Sequence, residues 1–229
     1  MSPEAAMRAC YVTGTDTGIG KSFASAALLH ALRARGLRAV GMKPVASGCE
    51  ATPDGWHNED ALALQRASDP RPPYADVNPF ALPNPLAPEL AAADARVTVD
   101  LPPITQAYAR LVASADAVVV EGVGGWAAPI SAAIDQLDVV RALDLPVVMV
   151  VGLRLGCINH ARLTARAIEA DGVRLLGWIA NDIDPAMARM DDNFAILQRV
   201  MPGPCWGRLP HAPGADPRDM ARFLSVPAT

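Results

Sequence analysis

Residues 11–22 read YVTGTDTGIGKS: an apolar run, then glycine at 14, 18 and 20, then Lys21-Ser22 and a helix-forming segment. Glycines at that density belong where a backbone turns through positive φ or must approach a ligand closely. A strand that ends in such a turn and continues as a helix leaves the first helical N–H groups without internal partners. Those groups gather an anion, and a lysine beside them adds a full positive charge. The stretch therefore reads as a strand, a phosphate-wrapping loop and a helix start. Against the pattern G-x-x-x-x-G-K-[ST] the loop is one residue long, because Gly14 and Gly20 bracket five residues and position 15 is Thr15. In this reading Lys21 bridges the β- and γ-phosphates of a nucleoside triphosphate and the Ser22 hydroxyl ligates Mg2+.

The remainder of the chain alternates in the same way. Predicted strands are RACYVTG (8–14), LRAVGMKPV (37–45), DAVVVEG (116–122), LPVVMVVG (145–152), LLGWIAND (175–182) and PCWGRLP (204–210). Predicted helices lie between them at 21–36, 58–67 with Asn58 as cap, 104–114, 157–172 and 186–200, with a last helix in the tail. The central strands are continuous apolar runs, the mark of a parallel sheet covered on both faces. This predicts a three-layer α/β fold, mainly parallel, with helices on both sides. Residues 70–88 are dense in proline and are predicted to form no regular element. They read as an ordered surface excursion, because no segment with a core of its own precedes them, so residues 1–229 form a single domain.

Composition narrows the function. A net charge of -4 leaves no basic footprint for nucleic acid. No apolar run reaches the length of a membrane span, and the first residues lack the apolar centre of a secretory signal. A soluble, cytoplasmic protein is expected. The four cysteines show neither C-x-x-C nor zinc-ligand spacing and read as reduced, mostly buried thiols.

Other candidates follow from their places on these elements. Glu121 ends a buried strand at its carboxyl edge, where ligands of α/β sheets gather, and a carboxylate there holds Mg2+ directly or through water. Gly122, Gly124 and Gly125 leave the next loop room beside a ligand. Lys43 closes the second strand and would neutralise a transferring phosphoryl group, with Ser47 nearby; a solvent-facing lysine is the plain alternative. Asp60 lies in a first helical turn, where the helix dipole alone explains an acid. Asn181 offers a carboxamide that matches the edge of adenine, or an ordinary turn. Gly156, Cys157, Ile158 and Asn159 open a helix directly after a strand and present free N–H groups to an anion.

Taken together, VTGTDTGIGKS, KPVASG, DALALQRAS, VEGVGGW, LPVVMVVGLRLGCINHA and GWIAND occur in the order found in dethiobiotin synthetases, and the chain resembles that family over most of its length. The resemblance implies a homodimeric enzyme of P-loop NTPase fold. It would use ATP, Mg2+ and CO2 to close a cyclic urea on 7,8-diaminononanoate, giving dethiobiotin, ADP and phosphate. It implies a nucleotide set of Thr17, Gly18, Ile19, Gly20, Lys21, Ser22 and Phe23 with Asp60, Glu121, Gly122, Val123, Gly124, Asn181 and Asp182. Lys21 and Lys43 would be catalytic, and Ser22, Asp60 and Glu121 would gather the metal. Ser47 would touch the substrate, whose distal carboxylate would lie on residues 156–159 from across the dimer. Gly18 replaces a larger residue, Ser22 replaces the commoner Thr, and the segment after Pro210 departs from the family pattern.

Two rivals carry contrary signals. A partition or positioning ATPase would have a lysine at position 16, which is Asp16, and a basic amphipathic tail. An amidotransferase-type ligase would add a glutaminase domain, for which the chain is too short.

Overall fold

The computed structural model describes residues 9–227. The predicted strand start at Arg8 and the reading of residues 1–8 as carrying no secretory signal lie outside the described residues. In chain order the elements are β1 (Ala9–Gly14), α1 (Lys21–Ala34), β2 (Ala39–Met42), β3 (Val45–Ser47), β4 (Glu50–Thr52), β5 (Gly55–His57), α2 (Glu59–Ala67), α3 (Tyr74–Val77), β6 (Phe80–Leu82), α4 (Pro88–Ala95) and α5 (Leu101–Ser114). There follow β7 (Ala117–Glu121), α6 (Gln136–Leu143), β8 (Val147–Leu153), α7 (Cys157–Ala170), β9 (Leu175–Asp182), α8 (Met190–Val200), β10 (Cys205–Leu209) and α9 (Pro217–Met220).

Six strands form one sheet in the order β10-β9-β8-β1-β7-β2, and every neighbouring pair is parallel. Successive residues of a strand point to opposite faces, so an apolar run supplies two cores at once. Tyr11, Val147, Met149 and Val151 pack with residues of α5, α6 and α7. Cys10, Val12, Val148 and Val150 pack with α1 and α2 on the other side. The three layers expected from the apolar runs are present. All seven residues of β8 are buried. Among the described residues no helix is long and apolar enough to cross a membrane.

The structure corrects several boundaries. The predicted strand 37–45 is divided: β2 stops at Met42, and β3 leaves to pair with β6 in a small parallel sheet, Val45 opposite Phe80. Residues 70–88 therefore do contain regular structure, α3 and β6. Their prolines bracket these elements instead of interrupting them: Pro73 precedes α3 and Pro79 precedes β6. The polar loop before α2 folds back as the antiparallel pair β4–β5. The helix predicted at 186–200 begins only at Met190, because Arg189 takes a left-handed φ of 54°. Helix α5 starts earlier than predicted, with Pro102 and Pro103 in its first turn, where proline costs no hydrogen bond. Helices α4 and α6 were not foreseen.

Candidate active site

Thr15–Gly20 join β1 to α1. Gly18 and Gly20 have φ of 71° and 80°, the left-handed region that favours glycine. At Gly14 a Cβ would lie 2.7 Å from Ile19 Cδ1 and 2.9 Å from Lys21 Cδ, so the lysine stem passes directly over the strand end. The additional loop residue does not break the sheet contact, since Thr15 N–H still donates to Val150 O at 3.1 Å. No side chain caps α1, which leaves its first-turn N–H groups for an anion. Lys21 Nζ donates to Asp16 O at 2.8 Å. Burial, then the charge of Lys43, push the Lys21 ammonium down to about 8.

The neighbouring strand brings the opposite charge. Glu121 ends β7 opposite Val12 of β1 and is completely buried. Its Oε1 accepts from Ser22 Oγ at 2.7 Å and from Lys43 Nζ at 2.5 Å. Lys43, 4% exposed, also donates to Gly122 O at 3.2 Å and to Asp60 Oδ2 at 3.4 Å. Burial works against the Lys43 charge, but the Glu121 and Asp60 carboxylates outweigh it and raise the ammonium above the ordinary lysine range. Two lysines, two carboxylates and a hydroxyl thus converge from four separate elements.

These groups line one cavity of about 480 Å3. Thr17, Gly18, Gly20, Lys21, Ser22 and Phe23 form its loop side. Lys43, Ser47, Asp60, Glu121, Val123 and Gly124 close it, joined by Ala46 and Asn58, which the sequence reading had not placed at the site. Asn58 was legible only as the cap of α2, which it is: its Oδ1 accepts from Ala61 N–H at 3.2 Å. Ile19 is buried in the core behind the loop. Gly122 is pressed against Tyr11, whose hydroxyl would lie 2.6 Å from a Cβ there. The Tyr11 hydroxyl donates to Gln136, whose Nε2 donates to Val123 O at 2.8 Å and so fixes the glycine loop.

Asn181 and Asp182, at the end of β9, do not line this cavity. Asn181 Nδ2 donates to Ile19 O at 2.8 Å, so the residue props the phosphate loop from below. Asp182 is paired with Arg208 at 2.8 and 3.1 Å. Residues 156–159 lie apart as well: Gly156, Ile158 and Asn159 line a second cavity of about 370 Å3 beside Leu155, while Cys157 is buried beneath them.

A divalent cation fits the first cavity on one observation. Glu121 Oε2 is buried and has no partner, and buried carboxylate oxygens are rarely left so. Among the described residues no cluster of three or more histidines, cysteines or acids is prepared for a metal. The donor set is two carboxylates and a hydroxyl, which suits Mg2+, an ion that keeps waters and phosphate oxygens in its shell.

Residues 8–218 match the family described as an AAA domain. The fold is shared with the MinC:MinD cell division complex of Aquifex aeolicus, with a TM-score of 0.55 and 14% identity over 95% of this chain and 86% of that one. It is shared also with a ParA family ATPase of Chlorobium tepidum, with a TM-score of 0.53 and 15% identity over 96% of this chain and 91% of the other. Fold and site together define a P-loop nucleotide-binding protein. The curated ATP-dependent dethiobiotin synthetase BioD of Xanthomonas euvesicatoria is 68% identical over 96% of this chain and 98% of its own length. That of Xylella fastidiosa is 63% identical over 95% and 97%. The chain belongs to the ATP-dependent dethiobiotin synthetase family and is an ATP-dependent ligase of biotin biosynthesis.

Proposed function

We propose that the chain converts 7,8-diaminononanoate, CO2 and ATP to dethiobiotin, ADP and phosphate, with Mg2+ held by Ser22, Asp60 and Glu121. One amine adds to CO2 and loses a proton to give a carbamate. The carbamate oxygen attacks the terminal phosphorus and expels ADP, leaving a carbamic–phosphoric anhydride. The second amine then attacks the carbonyl carbon, phosphate departs, and the cyclic urea closes. Phosphoryl transfer of this kind needs in-line positioning and neutralised charge more than it needs a covalent catalyst.

The observation that carries this reading is the burial of Lys43 against Glu121, beside Lys21 and an uncapped helix start, in one cavity. Lys21 would hold the β- and γ-phosphates. Lys43 would bind the terminal phosphate and the carbamate at once, as its place at a strand end across from the loop suits. Bound Mg2+ would supply positive charge to the phosphate oxygens. Burial raises the pKa of all four thiols, Cys10 to about 12 and Cys49 to about 11, so no cysteine is poised as a nucleophile. Asn181 would meet adenine through Oδ1, its Nδ2 being engaged with Ile19, and the Asp182–Arg208 pair would steady that end.

The separate cavity at 156–159 supports a two-chain site. Its amides would take the carboxylate of a substrate seated in a second copy, and the exposed Leu155 and Leu163 beside it would lie in the homodimer contact. The enzyme would work in the cytoplasm on small molecules alone. Purified protein with diaminononanoate, ATP, Mg2+ and bicarbonate should yield dethiobiotin by mass spectrometry, and Lys43→Gln should lose most turnover while staying folded. Absence of product, or near-normal Lys43→Gln, defeats the reading.

A further inference from the structure

The nucleotide reading gives the proline-dense stretch 70–88 no task, yet that stretch carries a buried asparagine and a half-buried tyrosine bonded to the segments that build the site. Lys43 lies where the chain leaves the main sheet, between β2 and β3, and its backbone is gripped from both sides. Lys43 N–H donates to Val77 O at 2.7 Å, and Lys43 O accepts from Asn78 Nδ2 at 2.7 Å. Asn78 is 3% exposed. Its Nδ2 also donates to Phe80 O at 3.2 Å, and its Oδ1 accepts from Tyr74 Oη at 3.0 Å. The Tyr74 oxygen in turn accepts from Asn58 N–H at 2.8 Å. Asn58 Nδ2 donates to Ser47 O at 3.2 Å while its Oδ1 caps α2, the helix that begins with Glu59 and Asp60. One connected network therefore sets the main chain of Lys43, of Ser47 and of the turn bearing Asp60.

We propose that Asn78 and Tyr74 are positioning residues: Asn78 clamps the Lys43 backbone so that its ammonium meets Glu121, and Tyr74 ties that clamp through Asn58 to Ser47 and Asp60. The inference rests on the reading that Lys43 acts on the transferring group. Satisfied buried networks rigidify what they connect, and displacement of a reacting group by about 1 Å costs on the order of a hundredfold in rate. Neither residue touches the cavity itself, so loss of the network should fall on kcat.

The test uses the whole chain, with Tyr74→Phe, Asn78→Ala, and each combined with Lys43→Gln. Tyr74→Phe keeps the ring that packs at a tilt against His57, 4.1 Å between centroids, and removes only the relay. It should lower kcat about tenfold, and Asn78→Ala about a hundredfold, with KM for ATP changed by less than about twofold. In the Lys43→Gln background Tyr74→Phe should cost the residual turnover much less than about tenfold, the remainder passing through Ser47 and Asp60. Hydrogen exchange at the Lys43 amide should quicken in Tyr74→Phe by more than the modest fall in melting temperature accounts for. Equal losses in both backgrounds, or normal kcat in Tyr74→Phe, overturn the proposal, and that milder variant decides if Asn78→Ala does not fold. If the wild-type chain makes no dethiobiotin, the proposed reaction fails, and exchange at Lys43 alone then decides whether the clamp exists.

Discussion

Removing the Lys43 ammonium should destabilise the ligand-free protein far more than removing the Glu121 charge, although the two groups form one ion pair. The reason lies in what each partner has left. Glu121 is 0% exposed, and without Lys43 its carboxylate keeps only the Ser22 hydroxyl at 2.7 Å. Stripping one member from a buried pair costs about 3–5 kcal/mol, so Lys43→Met should lose that much. Lys43, by contrast, keeps Gly122 O at 3.2 Å and Asp60 at 3.4 Å when Glu121 is changed. Glu121→Gln also retains an acceptor for Ser22, so its cost should be about 1–2 kcal/mol, that of a weakened buried hydrogen bond. The double variant leaves no unpaired charge and should lie within about 1 kcal/mol of the parent. Urea unfolding of the nucleotide-free proteins measures all three. For a chain of this size the Lys43→Met loss corresponds to a fall of about 6–20 °C in melting temperature. Additive losses in the double variant, or a Lys43→Met cost below about 1 kcal/mol, would show that the two groups do not share a dry site.

Three further outcomes follow from the loop. Lys21 titrates at about 8 in the free protein, and phosphate takes only the ammonium form, so ATP affinity should be flat below about pH 8 and fall about tenfold per unit above it. Because the folded value lies below the unfolded one, ligand-free stability should rise with pH between about 8 and the ordinary lysine value, and Lys21→Arg should flatten both profiles; calorimetric titration across pH 7–10 checks the first and urea melts the second. Gly20→Ala should lose nucleotide binding at least tenfold, since φ is 80° there and the new Cβ would meet Asn181 Nδ2 at 2.2 Å; unchanged affinity by the same titration would mean the loop is not held by Asn181.

Much of this site was legible because its signals are local. A glycine cluster between an apolar run and Lys21-Ser22 specifies its own geometry, and an apolar strand cannot end in an acid without a reason. VVVE was therefore the better clue to Glu121 than any spacing: a strand buried on both faces places its last side chain at 0% exposure, where a carboxylate must have a partner or a ligand. What stayed hidden depended on meetings between distant segments. Strands β3 and β6 have three residues each, too few for a period to declare itself, and their pairing is decided by where Lys43-Pro44 sends the chain. The capping box of α6, Asp135 with Asp138, was readable but stood behind the glycine-rich loop and went unassigned. That the Asn181 carboxamide gives its donor to Ile19 O was equally out of reach, since the two residues are 162 positions apart. The prolines around Tyr74 and Asn78 misled most. They signalled irregularity, when they bracket short elements from which Asn78 reaches the Lys43 carbonyl and Tyr74 reaches Asn78 and Asn58. A buried ion pair with one carboxylate oxygen unmatched is a poor way to hold a sheet together, and such local inconsistency marks a place shaped for a ligand and not for stability.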